Sequence, residues 1–147
     1  MRTLKLSTRL TKARALVADR SSWTHGAFKR KASKSPIGAS YCALGACAAV
    51  TDDWAPDKKT PGYGTAMQEM RHALDACAAA AGYPSIMSLN DRNRKPAQFG
   101  DAYVPLKERQ RRPADRHADV LAAFDCAIAK AKKAERAAAA YKAASGT

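Results

Sequence analysis

Apolar side chains recur every three or four residues in three stretches of this 147-residue chain, and they run almost without interruption in a fourth. Spacing of that kind places them on one face of a helix. Leu10, Ala13, Leu16 and Val17 mark the first stripe, which predicts a helix from Ser7 to about Asp19 with the Ser7 hydroxyl capping first-turn amides. Tyr41 to Val50 (YCALGACAAV) is nearly all apolar and too short to span a membrane. It suits a central buried helix, with Gly45 permitting close approach, and leaves a buried strand as the alternative. Met67, Met70, Leu74, Cys77 and Ala78 step along a third helix from Thr65, stopped by Gly82. Pro113 opens a last helix whose buried stripe is Val120, Leu121, Phe124, Ile128 and Ala131.

The connecting segments are polar or broken. RSSWTHG (20–26) interrupts the first helix and lets Trp23 pack back on Leu16. FKRKASKSPIG (28–38) has no helical stripe, carries Pro36 and Gly38, and reads as an exposed basic loop. Two prolines and two glycines make 51–64 a loop, whereas YPSIMSLND (83–91) suits one strand or an extended crossing. A basic, proline-containing loop follows through Arg112. There is no internal repeat. The expectation is a mainly α, compact four-helix single domain over 1–132, with long basic loops and room for one short strand pair. Residues 133–147 read as a basic, Ala-rich helical tail that frays before Ser145, because large apolar residues stop near Ala131. Much of the 46% apolar content is alanine and only 7% is aromatic, so the core should be small and closely packed.

Charge changes the picture most. Twenty-six lysines and arginines against thirteen acids give a formal charge of +13, a field that attracts polyanions. The cations cluster as Lys29, Arg30, Lys31 and Lys34, then Arg92, Arg94 and Lys95, then Lys107, Arg109, Arg111 and Arg112. Lys130, Lys132, Lys133 and Arg136 form a further group on the last helix, offset by Glu135. These features point to a small accessory protein that binds nucleic acid through backbone phosphates, since no RRM, zinc-finger or homeodomain signature is present. Six such contacts on duplex DNA would give log affinity a slope of about −5 against log salt. The alternative partner is an acidic surface of a host protein, engaged by an accessory protein of a phage or mobile element. Trp23 and Trp54 read as core plugs rather than base-stacking platforms, and Trp54 has aspartates close by.

Catalytic chemistry has one candidate. Cys42 stands where a helix N-terminus would favour its thiolate, His25 could serve as base, and Asp91 or Asn90 could orient the imidazole, as in a Cys/His hydrolase. Against this, small cysteines belong in an alanine-rich helix, and Asn90 and Asp91 suit backbone bracing. The balance falls against catalysis. Metal binding lacks the usual pairs, because there is no Cys-x-x-Cys and no His-x-x-x-His, so neither a metal nor a cofactor is expected. His72 and His117 are expected on helix surfaces. Basic MRTLKLSTRLTKARAL is followed by no apolar run of signal length, which makes a cytoplasmic location the default and implies that Cys42, Cys47, Cys77 and Cys126 are all thiols.

Three motifs occur in a fixed order: WTHG (23–26), YCALGAC (41–47) and IMSLND (86–91), ahead of ADVLAAFDCAIAKA. The chain thereby resembles domain of unknown function 6197, a family of small proteins from bacteria and their phages. That family carries Trp-x-x-Gly, Cys-x-x-Gly-Ala and Asn-Asp before a final helix. The resemblance spans about residues 7 to 132 and departs from the pattern at Leu89, where an aromatic commonly precedes Asn-Asp, and in basic insertions at 29–35 and 92–112. It implies a shared fold and assigns no activity.

Overall fold

Five helices and one short hairpin order the chain in a computed structural model that describes residues 3–91 and 113–146. Helix α1 (Leu6–Val17) leads through a single 3-10 turn (Arg20–Ser22) into β1 (Lys29–Lys31) and β2 (Ala39–Tyr41). Helices α2 (Ala43–Thr51), α3 (Thr65–Ala80), α4 (Ile86–Asp91) and α5 (Pro113–Ala144) follow. The protein is mainly helical, as its periodicity predicts. Helix α1 packs on α5 and α2, α3 packs on α5, and α4 closes one end against α5, α3 and α2. Leu10, Val17, Leu44, Met67, Met70, Leu74, Ile86, Leu89, Val120 and Phe124 fill the core between them.

Some local expectations need correction. Ser7 does not cap α1, whose N-cap is Lys5 without a side-chain bond. Instead the Ser7 amide and hydroxyl both donate to the Glu135 carboxylate of α5, at 3.1 and 2.6 Å. The orphan amide of the first turn is thus satisfied by a residue 128 positions away. Arg9, buried on the same helix, donates to Leu4 O, to Ala66 O and to Glu69, tying α1 to the start of α3.

The basic segment expected as a loop supplies strand β1, which pairs with β2 just beyond it. Lys29 pairs with Tyr41, Arg30 with Ser40 and Lys31 with Ala39, in antiparallel register. All three β1 residues are exposed, so no apolar alternation marks the strand. The segment expected as a strand or crossing is instead α4. Asp75 accepts from the Ile86 amide at 2.9 Å, and Ser85 Oγ accepts from the Ser88 amide at 3.2 Å. This is a capped helical turn too short to show periodicity. Helix α3 ends as its glycine predicts: Gly82 has φ +93°, and the Tyr83 amide reaches back to Ala78 O at 2.9 Å.

Two of the four cysteines are not thiols. Cys77 on α3 and Cys126 on α5 form a disulfide with their Cα atoms 6.1 Å apart, whereas Cys42 and Cys47 are free and buried. The bonded pair sits on two separately legible stripes whose mutual packing no spacing rule reveals. The bond overturns the expectation that all four cysteines are thiols. No described helix is long and apolar enough to cross a membrane.

Candidate nucleic-acid interface

The three sequence motifs meet at one buried amide. Asn90, at the end of α4 and fully buried, accepts from Trp23 Nε1 at 2.9 Å and from the Ala43 amide at 3.1 Å through the same Oδ1. Its Nδ2 donates to Thr24 O at 3.2 Å and to Asp91 Oδ1 at 2.8 Å. Asp91 Oδ1 also accepts from the Gly26 amide at 3.0 Å. Trp-x-x-Gly, the start of α2 and Asn-Asp are therefore one hydrogen-bonded node. Gly45 belongs to it by close approach, since a Cβ there would lie 1.8 Å from Phe28 O. Asn90 and Asp91 brace backbone, as their residue types suggest.

The node holds a cationic corner in place. Trp23 is buried, with the Arg20 guanidinium carbon 5.1 Å and that of Arg116 5.7 Å from its ring. The rings of His25 and His117 stand 5.7 and 5.6 Å from the same indole. Arg30, on β1, reaches toward Gly26 with its guanidinium. Burial lowers the His25 pKa below its ordinary 6.5, and the positive charges of Arg116, Arg30 and Arg20 lower it further against the opposing pull of Asp91. Three arginines from three elements thus act on one imidazole.

Lys29, Arg30, Lys31 and Lys34 are all exposed, as is Arg20, and Ser21 Oγ donates to Lys34 O at 3.3 Å to join the 3-10 turn to the hairpin. Ion pairs among the described residues are Arg9 with Glu69, Arg14 with Asp125 and Arg71 with Asp75. None involves these five cations. Arg92, Arg94, Lys95, Lys107, Arg109, Arg111 and Arg112 lie outside the described residues. Lys130, Lys132, Lys133 and Arg136 are exposed on α5, and the run from Arg116 to Lys133 spans about 25 Å of helix.

Cys42 is the N-cap of α2, 1% exposed, and its sulfur accepts from the Gly45 amide at 3.3 Å. Asp91 is buried in the node, and His25 is partly exposed beside it. Burial drives the Cys47 thiol far above its ordinary range. Among the described residues no group of three potential metal ligands occurs. His72 is exposed as expected. His117 is not, being buried with Nε2 2.7 Å from Val17 O.

Sequence reasoning also missed Arg20 and Arg116. One signal for the latter was present: stepping the Val120 and Phe124 stripe back four residues lands on Arg116, whose guanidinium then belongs to the interior. No curated protein and no solved structure matches the chain. A family model matches residues 1–130, which include the whole node and the basic hairpin, and the chain accordingly belongs to the family of unknown function DUF6197.

Proposed function

We propose that this protein binds nucleic acid through backbone phosphates, with the hairpin cations and Arg20 as its described contact face. The observation that carries this reading is the set of five exposed cations on two joined segments, none of them in an ion pair among the described residues, next to an imidazole already under the field of three arginines. Cations in a solvated, neutral surface are interspersed with carboxylates, and exposed pairs there contribute little. Asp19, at the start of the 3-10 turn, has its carboxylate occupied by the Ser21 amide at 2.8 Å.

Phosphate contacts without base readout fit the site's inventory. Trp23 is buried, and the partly buried Tyr41 ring already carries the Lys29 ammonium 5.7 Å from its centre. Lysine and arginine on an edge strand reach phosphate oxygens without sequence information. Fluorescence anisotropy with two unrelated duplexes tests this. Converting Lys29, Arg30, Lys31 and Lys34 to Glu should weaken both duplexes equally by at least about a hundredfold at low salt. Undiminished binding overturns the assignment of the hairpin. Capture of a protein that survives nuclease treatment, without any affinity for duplexes, would favour an acidic protein surface instead.

A further inference from the structure

We infer that Ile37, carried beside Pro36 at the tip of the basic hairpin, is an apolar wedge that enters the minor groove of duplex DNA and kinks it. The inference deepens the nucleic-acid reading and rests on it. Ile37 is 50% exposed, and the other exposed large hydrophobic residues among those described are Leu4 and Tyr141. Single exposures of this kind are ordinary on a protein surface. Ile37 differs because its own turn holds it out.

Ser35, Pro36, Ile37 and Gly38 make a β-turn closed by the Gly38 amide on Ser35 O at 3.1 Å. Serine first, proline second and glycine fourth are residues such a turn favours, with the pyrrolidine ring presetting the second φ. A preceding turn is closed by the Ser35 amide on Ala32 O at 3.1 Å, and the Ala32 amide donates to Gly38 O at 3.2 Å across the base of the loop. Ser35, which the two turns share, is buried and anchors them. Its Oγ accepts from the Ile37 amide at 3.3 Å and lies 2.7 Å from Ser22 Oγ on the 3-10 turn. Pro36, Ile37 and Gly38 are exposed, and a Cβ at Gly38 would meet no atom within 4 Å. The apolar pair therefore faces open space from a fixed seat, and little freedom remains to be lost on binding.

Charge selects the occupant. Lys34 precedes the turn by one residue, Lys29, Arg30 and Lys31 line the strand that leads to it, and all four are exposed. Cations beside an apolar tip match a surface with anions along its rims and an apolar slot at its floor. The minor groove of B-form DNA is such a surface, with phosphates on both edges and stacked bases that an inserted isoleucine or proline parts. The corresponding groove of duplex RNA is wide and shallow. Steps that unstack easily, such as TA, are then favoured through their deformability, without hydrogen bonds to base edges.

The test is energy transfer between the labelled ends of a DNA duplex of about 30 base pairs with a central TA step, which is nearly straight when free. Saturating wild-type protein should bring the ends closer, as a kink of about 20–90° requires. Ile37→Ser should bind about tenfold more weakly and leave the saturated duplex straight. Its slope of log affinity against log salt should equal that of the wild type, because no cation is removed. Ile37→Leu should keep the bend, and Leu4→Ser, which alters an exposed leucine outside the hairpin, should behave as wild type. A duplex that stays straight when saturated with wild-type protein, or a bend that survives Ile37→Ser, overturns the wedge. Absence of any wild-type binding at low salt overturns the nucleic-acid reading itself, so the two failures are separable.

Discussion

Replacing Asn90 with Ala should destabilise the fold more than any other single truncation of a polar side chain, because one amide holds three separate segments. The substitution removes four hydrogen bonds, to Trp23 Nε1, the Ala43 amide, Thr24 O and Asp91 Oδ1. Two of the partners are buried donors that would lose their acceptor, since Trp23 is 3% and Ala43 0% exposed. An orphaned buried donor costs about 1–3 kcal/mol, so the two together cost about 2–6 kcal/mol. A net stability of about 5–15 kcal/mol makes that a large share. Urea unfolding followed by circular dichroism gives the loss directly, provided the slope of the transition is unchanged. Asn90→Asp supplies the second arm, keeping an oxygen acceptor for Trp23 and Ala43 while placing a second carboxylate against Asp91. It should recover part of the loss at acidic pH, where the pair shares a proton, and little at pH 8. A loss below about 1 kcal/mol for Asn90→Ala would refute the claim that this node organises the fold.

Gly45→Ala should destabilise by about 3 kcal/mol or more in urea titrations, since the roughly 1 kcal/mol gain in helix propensity is outweighed by a Cβ set against the Phe28 carbonyl; a stabilised variant would contradict the close approach. Reducing Cys77–Cys126, or replacing both residues with Ala, should lower stability by about 4 kcal/mol on chain-entropy grounds for a separation of 49 residues. An unchanged melting temperature in dithiothreitol would contradict the bond. Glu135 has its pKa held below the ordinary 4.5, first by the Ser7 hydroxyl and then by the Ser7 amide. Its contribution is present above pH 4.5 and is lost as pH falls through the lower folded value, so Glu135→Gln should be slightly less stable at pH 7 and equal to wild type in acid. A wild-type advantage that persists at low pH would count against that linkage.

Periodicity revealed the large helices because their stripes are long enough to repeat. Met67, Met70, Leu74, Cys77 and Ala78 are all buried on α3, and Val120, Phe124 and Ala131 on α5. Short elements escaped for a physical reason. Strand β1 is three exposed basic residues, so pairing with β2 leaves no trace in hydropathy. Helix α4 has six residues, too few for two turns, and its identity rests on Asp75 and Ser85 caps. Relations across the chain were invisible: Ser7 with Glu135, Cys77 with Cys126, and Arg116 and His117 with Trp23. Hairpin cations were legible by composition, but Arg20 joins them through the turn that seats Trp23.

The central claim is that the exposed cationic face of the hairpin meets phosphate, and the salt dependence of duplex binding tests it most directly. Arg20, Lys29, Arg30, Lys31 and Lys34 together predict a slope of log affinity against log salt of about −4.5 or steeper. Neutralising the four hairpin residues to Ala should make that slope shallower by about 3.6. A wild-type slope near zero, or one that the four substitutions leave unchanged, would contradict the account.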